Sequence, residues 1–140
     1  MDIPQAVRTY VDTFTAASLD DWFANFTSDG TFRDPHLPVP TPVHGLKDHF
    51  GALFVGFPDF TAETVSLDPI SPDLWVWRWI MRGTNTGSFR GAPPTGRTAT
   101  MAGCEFISIH GDKVRHVDAY FDRFWTRVHA RECPALRQFS

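Results

Sequence analysis

The chain has 140 residues, 42% hydrophobic and 21% charged, a globular composition long enough to bury a core without disulfides. A formal net charge of −3 with both signs scattered gives nothing to attract nucleic acid or an acidic membrane surface. Cys104 and Cys133 form neither a metal-ligand spacing nor a disulfide framework, and no stretch approaches the ~20 apolar residues of a membrane span. With Asp2 and Arg8 in a first segment that has no apolar run, no signal peptide is expected. The expectation is a cytoplasmic protein built as one domain over residues 1–140.

In chain order, Asp2 is placed to cap a helix whose first turn contains Pro4, with Val7, Tyr10, Val11 and Phe14 on one apolar face. Ser18 is the cap of a second, shorter helix that buries Leu19, Trp22, Phe23 and Phe26. Thr27-Ser28-Asp29-Gly30 is a turn by composition, leading to a short strand over 31–34. From His36 to Gly45 three prolines, Pro38, Pro40 and Pro42, exclude helix and central strand, so an extended loop is expected. Residues 46–57 return to helical spacing, with Leu46, Phe50, Leu53, Phe54 and Phe57 on one face.

After Asp59 the period falls to two, predicting strands over 60–67, 74–84, 98–109 and 114–121 with turn chemistry between them. Residues 74–82 are the strongest signal. Trp75, Trp77, Trp79 and Met81 share one face of a strand, as core or as the lining of a pocket, and Val76, Arg78, Ile80 and Arg82 share the other. Helices followed by a run of antiparallel strands predict an α+β fold, helices packed on one sheet face. Residues 124–136 read equally as a last helix or an arm.

The candidate chemistry is carried by side chains in phase with apolar neighbours. Asp34 shares a strand face with Phe32 and precedes a proline. It reads as a carboxylate raised in pKa against apolar surface, able to act as a general base, or as an Asp-Pro turn starter. Glu105 is in phase with Ile107 and Ile109, so it is either buried, protonated and a hydrogen-bond donor, or turned to solvent by a β-bulge. Tyr10, on the apolar face of the first helix, is a buried phenol in need of a partner. Among the six histidines no pair has convincing metal geometry; His36, His44 and His49 surround the proline loop, at a pocket mouth or simply at the surface. His116, Asp118 and Tyr120 alternate with Val117, Ala119 and Phe121, which puts the polar set on the outer face or in a dimer contact. The glycine-rich segments lack a phosphate-loop pattern, and no serine nucleophile elbow is present.

Gly83-Thr84-Asn85-Thr86-Gly87, the segment Gly91 to Arg97 and Gly111-Asp112-Lys113-Val114 together resemble the SnoaL-like polyketide cyclases. These belong with the ketosteroid isomerases to the nuclear transport factor superfamily of cone-shaped α+β folds. Tyr10-Val11, Leu19-Asp20, the segment Phe26 to Thr31 and Asp34-Pro35 are similar in spacing to the isomerases. The resemblance covers nearly the whole chain and implies a curved antiparallel sheet wrapped by three N-terminal helices around a cavity. Carried over residue by residue, it implies Tyr10, Asp34 and Glu105 as catalytic residues, with glutamate standing where the isomerases have aspartate. The chain departs from the cyclases, whose catalytic acid falls on Ala119 and whose assisting histidine falls on Glu105. Asp118 and His116 are therefore second-choice catalytic residues. The implied activity is cofactor-independent enolisation of a hydrophobic, polycyclic carbonyl compound, ending in isomerisation or aldol cyclisation. A homodimer is expected from the residues themselves, because Arg78, Arg82, His116, Asp118 and Tyr120 lie on strand faces opposite the apolar ones, a mixed surface suited to an interface. Substrate contacts are expected from Trp22, Phe32, Phe54, Trp77, Trp79, Val117, Ala119 and Phe121, and no metal is expected. The competing expectation is a non-catalytic ligand-binding or dimerisation module on the same fold.

Overall fold

The computed structural model describes residues 2–122, so the alternatives for residues 124–136, and Cys133, lie outside the described residues. Three helices, α1 (Gln5–Thr15), α2 (Leu19–Ala24) and α3 (Lys47–Gly56), accompany six strands. The strands are β1 (Phe26–Asp34), β2 (Leu37–Pro42), β3 (Thr61–Ser71), β4 (Leu74–Thr84), β5 (Thr98–His110) and β6 (Lys113–Tyr120). They form one curved, unclosed sheet in the order β2-β1-β6-β5-β4-β3. This is the α+β architecture expected, with one pair running differently: β1 lies parallel to β6. No hairpin joins these two strands, so no tight turn dictates their direction.

In α1, Ala6, Val7, Tyr10, Val11 and Phe14 are buried, as the helical spacing requires. Pro4, rather than Asp2, holds the N-cap position, and its carbonyl accepts from the amides of Val7 and Arg8, each at 3.1 Å. Ser18 does sit at the N-cap of α2, but its hydroxyl donates to Asp21 Oδ2 at 2.7 Å instead of accepting from the backbone.

Two elements differ from expectation. The supposed turn over 27–30 is inside β1, and its polar residues mark a break in the β1–β6 register between Phe26 and Thr31. The proline segment is strand β2 followed by a short 3₁₀ turn at Val43–Gly45. Pro38, Pro40 and Pro42 share one parity of an edge strand, so their missing N–H groups fall on the side that has no neighbour.

Strand β4 alternates as its sequence does. Trp75, Trp77, Trp79 and Met81 are buried, Val76 and Ile80 are half-buried, and Arg78 and Arg82 are exposed. Around them packs an aromatic core in which Trp22 meets Tyr10, Phe14, Phe23, Phe26, Phe32 and Phe50 at ring distances of 4.7–6.0 Å. Glu105 stays in phase with Met101 and Ile107 and points inward. The irregularity in β5 falls further on, between Ser108 and Ile109. No described helix is long and apolar enough to cross a membrane.

Candidate active site

Beneath the sheet's concave face lies a cavity of about 80 Å³. Its walls come from α1 (Phe14), β1 (Phe32, Asp34), α3 (His49, Phe50, Leu53), β4 (Trp79, Met81), β5 (Met101, Glu105) and β6 (Ala119). His36, Phe89, Arg90 and Phe121 complete it. Arg90 is exposed and His36, His49, Leu53 and Phe121 are half-buried, so the mouth is on their side; Asp34 and Glu105 are buried.

Glu105 is carried inward by the alternation of β5, opposite Trp77 on β4 and Ala119 on β6. Tyr10 donates its hydroxyl proton to Oε1, and the Trp79 indole N–H donates to Oε2 at 2.7 Å. The indole can only donate, so Oε2 is an acceptor in either protonation state. Burial pushes the Glu105 carboxyl up to about 7 against the two hydrogen bonds, which favour its charged form. The Tyr10 phenol is held well above its ordinary value by burial and by the charge of Glu105. Trp79 reaches this position because its partner across the strand pair is Gly103: a Cβ there would fall 2.4–2.5 Å from the indole.

Asp34 is both an inward-facing carboxylate and a turn starter. Its Oδ1 accepts from the amides of His36 at 2.7 Å and Leu37 at 3.0 Å, closing the β1–β2 turn. Its Oδ2 accepts from His49 Nε2 at 3.2 Å. The expected rise in its pKa does not occur. Burial does push it up, but the hydrogen bond and charge of His49 and the His36 amide outweigh burial and hold it below the ordinary carboxylate value. Arg90 Nη2 lies 3.4 Å from His49 Nδ1. Arginine can only donate, so in neutral His49 the Nδ1 lone pair accepts and the Nε2 proton is the one shared with Asp34.

Arg90 is brought to the mouth by the loop between β4 and β5. Asn85, fully buried, fastens that loop: its Nδ2 donates to the carbonyls of Gly56 (3.0 Å) and Gly87 (2.9 Å), and its Oδ1 accepts from the amide and hydroxyl of Thr95. Gly87 lies so close to α3 that a Cβ would be 1.9 Å from the Val55 carbonyl oxygen. Phe89 and Ala92 then exchange backbone hydrogen bonds around Arg90-Gly91, a two-residue turn with φ of 48° and 83°.

Of the expected substrate contacts, Phe32, Trp79, Ala119 and Phe121 line the cavity. Trp22, Phe54, Trp77 and Val117 do not. Trp22 and Val117 are enclosed in the core, Phe54 packs on Phe14 and Phe60, and Trp77 turns its N–H to Thr64 Oγ1 at 2.9 Å. Tyr10 is likewise absent from the cavity wall, and its hydroxyl bonds the wall residue Glu105 from behind. The second-choice residues His116 and Asp118 sit on the opposite face of the sheet. There His116 bonds Thr31 Oγ1 (2.7 Å) and Asp118 Oδ1 (2.9 Å), and Asp118 pairs with Arg33 at 2.7 Å. The strand parity that buries Val117 and Ala119 forces this. His36 and His49 line the mouth, one of the two readings open for them, but the bond of His49 to Asp34 and the place of Arg90 were not foreseen. His49 stands one helical turn before cavity-lining Leu53, a legible signal; nothing local to Arg90 announces its position.

The fold and its relatives agree. AclR, a candidate hydroxylase from Streptomyces galilaeus, superposes with a TM-score of 0.78 at 17% identity, covering 92% of this chain and 95% of its own. IdmH, a candidate polyketide cyclase from Streptomyces antibioticus, gives 0.73 at 20% identity over 89% and 94%. A protein with a ketosteroid isomerase-like fold from Catenulispora acidiphila, solved with trimethylamine, gives 0.70 at 12% over 92% and 94%. At such identities these structures speak for the fold. No curated protein matches the chain. The family model for SnoaL-like polyketide cyclases matches residues 4–127, from the start of α1 past the end of β6, and the chain belongs to that family.

Proposed function

We propose that the protein enolises a ketone by moving protons between two carboxyl groups that face one cavity. The observation that carries this reading is geometric: two buried carboxyl groups line one cavity, Asp34 bonded by His49 and two backbone amides and Glu105 by Tyr10 and Trp79. Burial raises Glu105 to about 7, while His49 and the His36 amide hold Asp34 down. Two acids set apart in this way are fitted to be base and acid at the same pH. Asp34 takes the α-proton on Oδ2, the C–H electron pair becomes the enol double bond, and the Glu105 proton passes to the carbonyl oxygen. Tyr10 and Trp79 position Glu105. When Glu105 takes the enol proton back and the C=O bond reforms, delivery of the Asp34 proton to the far carbon of a conjugated dienol isomerises the substrate. Attack of the enol carbon on a second carbonyl instead closes a ring whose new alkoxide takes the Asp34 proton. A cavity of about 80 Å³ is smaller than the ~300–1,000 Å³ of ordinary ligand pockets, so it suits the reacting edge of a polycyclic substrate, with the remainder at the mouth.

A second reading is favoured by the bonds on Asp34. Three donors make it a weak base, and His49, more exposed than Asp34, is then the base, with Asp34 fixing its tautomer. Deuterium exchange at the α-carbon of 2-tetralone, followed by NMR, separates the two. If Asp34 is the base, Asp34→Asn slows exchange by ~10²–10⁴-fold. His49→Gln then slows it far less, because losing the imidazole makes Asp34 more basic. If His49 is the base, His49→Gln is the more damaging change. Exchange in the parent should decline as pH rises through about 7, where Glu105 gives up its proton. Exchange that ignores all three side chains, Glu105→Gln included, would leave a ligand-binding module.

A further inference from the structure

Arg90 lies where the cavity meets solvent, shared between the cavity wall and an outer hollow formed by Lys47, Asp48, Ser88 and α3. Its guanidinium contacts the Phe89 ring at 5.0 Å and His49 Nδ1 at 3.4 Å, both uncharged partners when His49 is neutral. Among the described residues no carboxylate lies within salt-bridge distance of it. Asp34, the acid whose charge acts on it, already holds three donors, and Asp48 lines the same outer hollow without pairing with it. A planar fork of N–H donors is thus presented at the mouth with no carboxylate of the described residues paired to it.

The backbone makes the arrangement more specific. Arg90 has φ of 48° at the first position of its two-residue turn, a left-handed conformation suited to glycine, asparagine or aspartate and costly for a long side chain. The turn would form more readily without arginine. The Asn85 lattice and the close seat of Gly87 on α3 hold the loop that places this turn at the cavity mouth.

We propose that Arg90 is a specificity-determining residue that binds a carboxylate on the substrate, so that the ketone turned over is an aromatic or polycyclic keto acid. The inference rests on the reading of this cavity as the substrate site. With the carboxylate on Arg90 the apolar body lies along Leu53, Phe89 and Phe121, and the reacting edge reaches Asp34 and Glu105. The carboxylate also takes the Arg90 donor away from His49 Nδ1, leaving that lone pair open to the cavity.

The test is a binding experiment that needs no turnover, so its outcome is separate from that of the exchange assay. Titration calorimetry compares 2-naphthoate with 2-naphthamide, which share shape and differ in charge. The parent is expected to bind the acid at least 10-fold more tightly. Arg90→Asn should bring the two within 2-fold while raising the melting temperature, because asparagine accepts the left-handed turn; a merely structural arginine would not separate these readouts. Arg90→Gln should lose the preference too, and Lys47→Gln, altered only in the outer hollow, should keep it. Equal binding of acid and amide by the parent, no binding of 2-naphthoate at millimolar concentration, survival of the preference in Arg90→Asn, or its loss in Lys47→Gln would each overturn the proposal.

Discussion

Glu105 shows how one side chain can be read from its neighbours and still mislead about its partners. Its phase with Ile107 was enough to turn it inward, because the rest of that strand face carries no polar side chain. What phase cannot reveal is that Tyr10 and Trp79 both donate to it, so that it accepts two hydrogen bonds where a bare donor was expected. Asp34 teaches the same point in reverse: burial was legible, but the donors that lower its pKa come from the turn it starts and from α3. Glu105 also carries a stability consequence with a definite sign. Its proton is held more tightly in the folded state, with the pKa at about 7, than in the unfolded chain, where it sits near 4.5. Its contribution is therefore fully present below pH 4.5 and is lost as pH rises through about 7, a change on the order of 3 kcal/mol. Glu105→Gln keeps the shape and removes the titration. The difference in urea midpoint between variant and parent should move in favour of the variant from pH 5 to pH 8. A difference that stays constant across that range would mean Glu105 is charged in the folded protein throughout.

At the scale of elements, what the sequence discloses depends on whether side chains or backbone decide the structure. Strand β4 runs from Leu74 to Thr84, as its alternation predicts, because four large inward side chains leave no other register. Strands β1 and β2 were obscured because their composition speaks of turns. Thr27 to Gly30 and the alternating prolines are tolerated beside a register break and at a sheet edge, and neither context is visible locally. The loop that delivers Arg90 was illegible for a similar reason: Asn85 works by satisfying α3 and loop backbone that only the fold brings near. Between β4 and β5 the pairing of Trp79 with Gly103 is the sharpest dependence of the site on an element. Gly103→Ala puts a methyl into the indole and within 2.8 Å of the Tyr120 carbonyl oxygen, so Trp79 must leave Glu105. The expected loss is ~1–3 kcal/mol, the usual cost of overpacking. The cost should shrink when Trp79→Leu is made first, because the clash with the indole is then gone and only the Tyr120 carbonyl contact remains. Equal costs in both backgrounds, measured by chemical denaturation, would show that the indole is not what Gly103 accommodates.

For the whole molecule the consequence concerns the face of the sheet that the described helices leave uncovered. The inward residues of β4, β5 and β6 close on α1 and the aromatic core, while Val76, Ile80 and Phe106 stay half-buried on the other side. Phe106 meets Tyr120 edge-on at 5.8 Å, and Tyr120 itself is exposed. Beside them Thr31, His116, Asp118 and Arg33 already satisfy one another, and Arg82 pairs with Glu63. Polar groups that carry their partners with them lose less on leaving water than unpaired ones. A twisted sheet face with an apolar centre and a paired polar rim suits a two-fold contact with a second copy. Light scattering at micromolar concentration should therefore give twice the 15.8 kDa of one chain. Tyr120→Glu replaces the ring that packs on Phe106 by a carboxylate beside Arg33. The cost of burying it against a second copy should return the monomer without unfolding the chain, in which the residue is exposed. A parent that scatters as 15.8 kDa, or a Tyr120→Glu variant that keeps the parent's mass, would remove this face from the assembly.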